Sequence, residues 1–350
     1  MPSLPLSHAL IHWFAAHKRD LPWRHTRDPY LIWMSEIILQ QTRVMQGLPY
    51  YFKFIDAFPS VETLAQASET EVLKLWQGLG YYSRARNMHQ TAKTIVEKHG
   101  GAFPKTALSL QKLKGIGPYT AAAIASFAFK EHIPVMDGNV MRVASRILGM
   151  QIPVDSKEGG TAIRQFLAEI IPSDHPDIFN QAIMEFGALH CKPRNPDCLI
   201  CVLKTHCRAN SLGIADAIPV KKPAKQVSVR FFQYVFLRDK SGNSLYRKRP
   251  EGDIWAGLYE PVLYESDQKL TPDEVALKLK SELHGNFLLS TVVAGKKHKL
   301  THRMIAAEAY FAETDSLPQM QGYDRVDVAR IDRLPVSRLV DLLRQKTPIQ

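Results

Sequence analysis

The 350-residue sequence contains no apolar run of the ~18 residues that a membrane-spanning helix requires. Its opening, Met1-Pro2-Ser3-Leu4-Pro5, lacks the charged start of a secretory signal. Both absences predict an intracellular, cytoplasmic protein. Internal repeats and long low-complexity tracts are missing too, and an apolar content of 45% is ordinary for a globular chain, so this is not a disordered tail. The chain is long enough for two or three domains with cores of their own. Acidic side chains are in short supply: 34 against 45 Lys and Arg leave a net charge of +11 and a pI near 9.4. That balance favours a polyanionic partner over an acidic small molecule, nucleic acid first and an anionic membrane surface as its rival.

Cysteine is scarce, and its four copies are confined to Cys191, Cys198, Cys201 and Cys207, a C-x6-C-x2-C-x5-C spacing. A disulfide framework would spread them along the chain. In a reducing compartment, thiolates this close point to a metal or iron–sulfur site. Zinc and a cubane cluster both accept four thiolates, and spacing does not separate them. Lys192, Arg194, Lys204, His206 and Arg208 stud the same loops, so a metal there would stiffen a basic surface suited to phosphate.

What the sequence does have is a glycine-flanked turn, Lys114-Gly115-Ile116-Gly117-Pro118-Tyr119, opening a run of small residues from Thr120 to Phe129. Glycines at 115 and 117 are expected to take positive φ and turn bare N–H groups outward, and Pro118 suits a first helical position, where no N–H is needed. Backbone donors at a helix N-terminus hold phosphate without reading bases, so the turn should grip a nucleic-acid strand of any sequence. An Asp137-Gly138-Asn139 turn follows, by itself an N-cap and, in this company, a catalytic carboxylate. Upstream, residues 28–42 carry an N-cap aspartate, a proline at the first helical position and a nearly unbroken apolar run, the pattern of a buried helix. Between Leu31 and Leu39 only Ser35 and Glu36 are polar. Burial should raise the Glu36 pKa and keep it protonated near neutrality, as a general acid requires.

Further helices are expected over 61–75 and 83–99, separated by Gly78-Leu79-Gly80-Tyr81-Tyr82. Two tyrosines beside Arg84 and Arg86 offer stacking surface next to phosphate-neutralising charge. A proline- and lysine-rich stretch near 216–228 reads as a linker. Beyond it the pattern is α+β. Two strand-like runs around Asp239-Lys240-Ser241-Gly242-Asn243 predict a hairpin, and Thr271-Pro272-Asp273-Glu274 predicts a capping box. Residues 295–303, GKKHKLTHR, form a loop or strand edge dense in cations, a second candidate DNA contact.

Taken together, the helix with Glu36, the LKGIGPYTA hairpin, the Asp137 turn and the cysteine spacing resemble the helix-hairpin-helix DNA glycosylases that carry an iron–sulfur cluster, over roughly residues 1–215. Within that superfamily, LPWR at 21–24, SEIILQQT at 35–42, GLGYYSRARN at 78–87 and MDGNV at 136–140 are most similar to the adenine DNA glycosylase family. The part from about 229 resembles the Nudix-like domain which that family appends to recognise 8-oxoguanine opposite the target adenine. The resemblance implies a multidomain fold: an all-α glycosylase region with a six-helix domain at about 22–133 and a cluster domain of 1–21 plus 134–215, a linker at 216–228, and an α+β Nudix-like domain at 229–350. It implies a [4Fe–4S] cluster on Cys191, Cys198, Cys201 and Cys207. The partner it implies is double-stranded DNA carrying adenine opposite 8-oxoguanine or guanine, met by a monomer in a bacterial-type nucleoid, with no membrane involved.

By the same resemblance Glu36 protonates N7 of a flipped adenine and Asp137 stabilises or captures the oxocarbenium ion at C1′. Tyr119 orients or hydrogen-bonds the Asp137 side, and Asn139 helps position it. Gln41 and Tyr81 match positions that intercalate near the lesion pair, while Leu21, Trp23, Arg24 and Gln181 match surroundings of the adenine pocket. Gly115, Gly117 and Val140 match backbone phosphate contacts. Leu300-Thr301-His302 falls where the family commonly carries Phe-Ser-His, and departs from it by placing leucine for the aromatic ring. Bifunctional relatives such as endonuclease III place a lysine two residues after the second hairpin glycine; Tyr119 stands there in this chain, which implies base removal without strand cleavage. Three other readings are an endonuclease III-like glycosylase/lyase for oxidised pyrimidines, a catalytically silent lesion-binding protein, and a Nudix hydrolase. For the last, Glu274 and Glu282 stand too far apart to share a metal, and the presence of both Glu36 and Asp137 argues against silence.

Overall fold

The computed structural model describes residues 5–223, 227–283, 287–300 and 303–348. The chain gathers into two compact units, one of Met1–Ala65 with Gln90–Pro223 and one of Gln66–His89 with Ala224–Gln350. In chain order the first twelve α-helices are α1 (Leu6–His17), α2 (Pro29–Ile38), α3 (Val44–Ala57), α4 (Val61–Gln66), α5 (Glu69–Leu75), α6 (Ser83–His99), α7 (Ala107–Leu110), α8 (Pro118–Phe129), α9 (Gly138–Leu148), α10 (Lys157–Ile170), α11 (Pro176–Leu189) and α12 (Arg208–Ser211). The single helix expected over 61–75 is two. Ser68 accepts from the Glu71 N–H while the Glu71 carboxylate accepts from the Ser68 N–H, and this capping box starts a new helix.

In the first unit, α9 presents Val140, Val143, Ala144 and Ile147 at helical spacing to a core shared with Leu10, Trp13 and Phe14 of α1, Ile163 and Leu167 of α10, and Phe179, Ile183 and Phe186 of α11. Helix α2 packs on α8. The run Ala121-Ala122-Ala123 in α8 is buried and has no bulk beyond Cβ, which lets the two backbones come close. As expected, Asp28 caps α2, its side chain accepting from the Tyr30 N–H, and Pro29 and Pro118 occupy first helical turns.

The second unit is built on a six-stranded sheet: β1 (Ser228–Asp239), β2 (Asn243–Lys248), β3 (Tyr259–Ser266), β4 (Leu288–Lys299), β5 (Arg303–Thr314) and β6 (Asp324–Asp327), in the order β4-β5-β1-β3-β2-β6. Among the described residues, β1/β5 is the one parallel pair of these strands. The expected β1–β2 hairpin does not form as a pair, because β1 is bonded to β5 along its whole length on one edge and to β3 on the other. The turn chemistry is nonetheless present: Gly242 takes φ +76° and the Asp239 carboxylate accepts from the Asn243 N–H at 2.7 Å. Alternation along β1 sends Phe232, Tyr234 and Phe236 to a face packed with Leu339 and Leu343, and Val235 and Leu237 to the opposite face against Val275, Leu279 and Leu283. The first helix partner is α15 (Arg338–Arg344), after the short α14 (Val328–Ile331), and the second is α13 (Pro272–Leu283), opened by the expected Thr271–Glu274 capping box. The Glu274 carboxylate is used in that box and Glu282, at the other end of the helix, accepts from the Tyr264 hydroxyl at 3.1 Å. The cationic run Lys296, Lys297 and Lys299 lies in β4, an edge strand.

Candidate active site and cysteine loop

Helix α2 is almost wholly buried, and its one carboxylate, Glu36, is 7% exposed. The hydroxyl of Tyr119, in the first turn of α8, donates to Oε2 of Glu36. Burial pushes the Glu36 carboxyl up to about 7; the Tyr119 hydrogen bond opposes the shift, the charge of Asp137 adds to it, and the Arg24 guanidinium opposes it. Burial and the two carboxylates hold the Tyr119 phenol well above its ordinary range, so it remains a donor. Arg24 is fixed by Glu185 of α11 through Nη1 at 3.0 Å and Nη2 at 2.8 Å. Arg19 donates to the same carboxylate from Nε and from its backbone N–H, each at 2.9 Å. Although burial works against it, these hydrogen bonds hold Glu185 down at about 2.

Asp137 is the N-cap of α9. Its Oδ1 accepts from the Val140 N–H and its Oδ2 from Asn139 Nδ2, both at 2.7 Å. Burial raises its pKa while these donors lower it. Each oxygen already holds a donor, and the Tyr119 hydroxyl, expected on the Asp137 side, goes to Glu36 instead. The Val140 N–H, expected as a phosphate contact, is likewise taken by Asp137. Asn139 passes the chain of contacts on: its Oδ1 accepts from Arg142 Nη2 at 2.9 Å, and Arg142 also donates to the carbonyls of Gly187 and Cys191 at 2.7 and 2.9 Å. A Cβ on Gly187 would lie 2.7 Å from that of Asn139, so glycine there is what lets α11 approach the Asp137 turn.

Of the other residues expected at the base pocket, Leu21 is buried, Trp23 packs edge-on against Tyr51 at 5.1 Å, and Gln181 is half-buried on α11. Gln41 is exposed with φ +55°. In the second unit Tyr81, 48% exposed, takes φ +49°. Left-handed backbone at non-glycine residues is strain, and it concentrates where function demands a fixed direction. Of the tyrosine pair only Tyr81 offers a stacking face; Tyr82 is core, its hydroxyl donating to the Val336 carbonyl at 3.3 Å. In the hairpin, Gly115 has the expected φ of +78°, but Gly117 does not, with φ −79°. A Cβ at Gly117 would meet nothing within 4 Å, so neither its backbone angles nor the protein's own packing requires glycine. Leu300 closes β4, its N–H donating to the Arg303 carbonyl at 2.8 Å; Thr301 and His302 lie outside the described residues. Within the second unit Tyr81, Trp255, His298, Leu300 and Arg303 border one cavity of about 470 Å³.

Cys191, Cys198, Cys201 and Cys207 are unpaired thiols lining a single small cavity. Among the described residues no three His, Cys, Asp or Glu side chains are grouped so as to hold a metal ion. Burial pushes the Cys201 thiol up to about 11, so thiolates there call for cationic company. Arg146, 1% exposed, ties the loop together: Nη1 donates to the Lys192 carbonyl at 2.7 Å and the Cys191 sulfur at 3.2 Å, Nη2 to the Pro193 carbonyl, and Nε to those of Ala215 and Ile218. Lys192, Arg194, Lys204 and Arg208 are exposed around it.

Residues 34–170 match the model of the HhH-GPD superfamily of base excision DNA repair proteins. Adenine DNA glycosylase from Buchnera aphidicola subsp. Baizongia pistaciae is 38% identical over 74% of this chain and 74% of its own length. The chain belongs to the adenine DNA glycosylase family. The mouse adenine DNA glycosylase is 41% identical over 57% of this chain, a match spanning 41% of that longer protein. A thermostable thymine-DNA glycosylase structure superposes with a TM-score of 0.55 and 28% identity, covering 59% of this chain and 95% of that one.

As a member of this family the protein is a DNA N-glycosylase of base excision repair, with a helix-hairpin-helix glycosylase fold and a C-terminal mixed-sheet domain. Among the described residues no helix is long and apolar enough to cross a membrane. Sequence reading missed Arg19, Glu185, Arg146 and Gly187. A signal existed for Glu185, which interrupts the apolar run Ala182-Ile183-Met184-Glu185-Phe186 much as Glu36 interrupts its own. The arginines were hidden because their partners are backbone carbonyls and a carboxylate far off in sequence.

Proposed function

We propose that the enzyme removes adenine paired with 8-oxoguanine, and with guanine, by hydrolysing the N-glycosidic bond and leaving the strand intact. The observation that carries this reading is a buried carboxyl poised at about 7, Glu36, electrostatically coupled to a second one, Asp137. Adenine leaves poorly unless protonated. With the nucleotide flipped out of the duplex, Glu36 delivers a proton to N7, and Asp137, aligned by Asn139 and Val140, stabilises or captures the oxocarbenium ion at C1′ before water completes the hydrolysis. Tyr119 holds Glu36 at the base and supplies no amine, so no Schiff base forms. Arg24, fixed by Glu185, is read with Leu21, Trp23 and Gln181 as lining the base pocket, and Gln41 and Tyr81 are each read as an intercalating side chain.

Four cysteine thiols lining one cavity are the donor set that a [4Fe–4S] cluster takes. On this reading Cys191, Cys198, Cys201 and Cys207 hold a [4Fe–4S] cluster, whose contribution when bound is to fix the loop bearing Lys192, Arg194, Lys204 and Arg208 against DNA phosphates. The region from about 229, with the sheet between α13 and the α14–α15 pair, is read as a Nudix-like module whose Leu300-Thr301-His302 segment senses 8-oxoguanine, and the chain acts as a monomer. The test is product analysis with enzyme in excess over duplexes carrying A:8-oxoguanine, A:G, A:T or an oxidised pyrimidine. Breaks that appear only after hot alkali, on the adenine strand and fastest opposite 8-oxoguanine, are expected. Alkali-independent cleavage of the oxidised pyrimidine, trapped by borohydride, would place the protein on the endonuclease III branch.

A further inference from the structure

Besides the thiols, four nitrogen-bearing side chains line the cysteine cavity, Arg146, His190, Lys204 and Asn210. Each of the three nitrogens of Arg146 has a partner, and together they reach four backbone carbonyls and the Cys191 sulfur. His190 is different. Its Nε2 is buried and has no hydrogen-bond partner among the described residues. The ring is held in place by apolar contacts, tilted on Phe186 at 4.9 Å between centroids and edge-on to Trp13 at 6.2 Å. Its backbone is fixed as the C-cap of α11, the N–H donating to the Phe186 carbonyl at 2.9 Å, and Cys191 follows directly. A phenylalanine would keep these ring contacts and lose only the interaction of the imidazole with the Asp197 backbone. Leaving an imidazole nitrogen buried and unpaired is destabilising, and such an atom in a folded protein calls for an unseen partner.

We propose that the His190 Nε2–H donates a hydrogen bond to a sulfur of the iron–sulfur cluster and thereby raises its reduction potential. This rests on the cluster reading given above. Sulfide and thiolate sulfurs carry the negative charge of a cluster, and a donor aimed at them favours the more negative, reduced state and protects against oxidative loss. A zinc thiolate site has no electron to take up, so for zinc the same hydrogen bond would leave no redox signature.

The test compares wild-type holoprotein with His190→Phe, which keeps the ring contacts and removes the donor, and with His190→Gln, which restores an N–H. Iron and sulfide content are measured first, then the reduction potential by protein-film voltammetry and the rate of loss of cluster absorbance under ferricyanide. The expected result is full iron content in all three, a lower potential and several-fold faster bleaching in His190→Phe, and partial return in His190→Gln. An unchanged potential and bleaching rate in fully loaded His190→Phe overturns the proposal. If that variant does not hold iron, the wild type decides: with histidine ring nitrogens labelled by 15N, pulsed electron paramagnetic resonance of the paramagnetic cluster is expected to show a ring-nitrogen coupling, and its absence overturns the proposal. Wild-type protein with a single zinc and no iron contradicts the cluster reading itself, a separate and recognisable result.

Discussion

At the scale of single residues, the site is organised around what burial does to two carboxylates of the helical unit. Glu36 and Glu185 are both nearly inaccessible, yet one is pushed up to about 7 and the other held down at about 2. The difference is donors: Glu185 receives two guanidinium groups, Glu36 a single phenol. The sign of the consequence for stability follows. Folded Glu36 keeps its proton to about 7 whereas the unfolded chain releases it near 4.5. Its contribution is therefore complete below 4.5, declines as pH rises to 7 and stays lost above, a difference of roughly 3 kcal/mol at about 1.4 kcal/mol per unit. Glu36→Gln removes that loss and still accepts from Tyr119, so at pH 8 urea unfolding should find the variant more stable than wild type by about 1–3 kcal/mol, with the two alike near pH 4.5. A variant less stable at pH 8 would mean that Glu36 is ionised and paired in the folded enzyme. The role of Glu36 was legible because an acid inside an unbroken apolar helix has to be buried or functional. The direction of Tyr119 was not, because it depends on which carboxylate oxygens are already occupied.

At the scale of elements, the hairpin between α7 and α8 separates two meanings of glycine. Gly115 sits at φ +78° and Gly117 at φ −79° with open space where a Cβ would go. Gly115→Ala is expected to cost about 1–2 kcal/mol of stability through left-handed backbone. Gly117→Ala should leave the thermal midpoint nearly unchanged and weaken DNA binding several-fold on damaged and undamaged duplexes alike, as fluorescence anisotropy would read it, because the missing side chain makes room for a phosphate rather than for protein. Undiminished affinity in Gly117→Ala would move the backbone contact off the hairpin. Sequence pattern foresaw the turn, the helix it opens and its proline, but both glycines were assigned positive φ, since composition marks flexibility and not which torsion is used. The same limit explains the sheet. Turn residues at 239–243 were recognised, whereas the partner of β1 is chosen by β3 and β5, whose pairing is written in distant segments.

At the scale of the whole molecule, a net charge of +11 sets how the enzyme meets DNA before any base is tested. Each phosphate neutralised contributes a slope of about −0.9 to the dependence of log affinity on log salt. Replacing Lys192 and Arg194 by alanine together should make that slope shallower by about 2 for matched and mispaired duplexes alike, with preference among them unchanged; a slope that stays the same would remove the cysteine loop from the DNA interface. The four-cysteine loop could be found in the sequence because its spacing is local, but the buried Arg146 that fastens it could not, its acceptors lying as far away as Ala215 and Ile218.

The measurement that bears most directly on the central claim is the single-turnover rate of adenine release from an A:8-oxoguanine duplex as a function of pH, for wild type and Glu36→Gln with DNA saturation checked for each. If Glu36 is the general acid, the wild-type rate is full below about 7 and falls tenfold per pH unit above it, and the variant loses at least 100-fold in rate while still binding DNA. A wild-type rate that is flat across neutrality, or a Glu36→Gln enzyme that keeps most of its single-turnover rate, would contradict it.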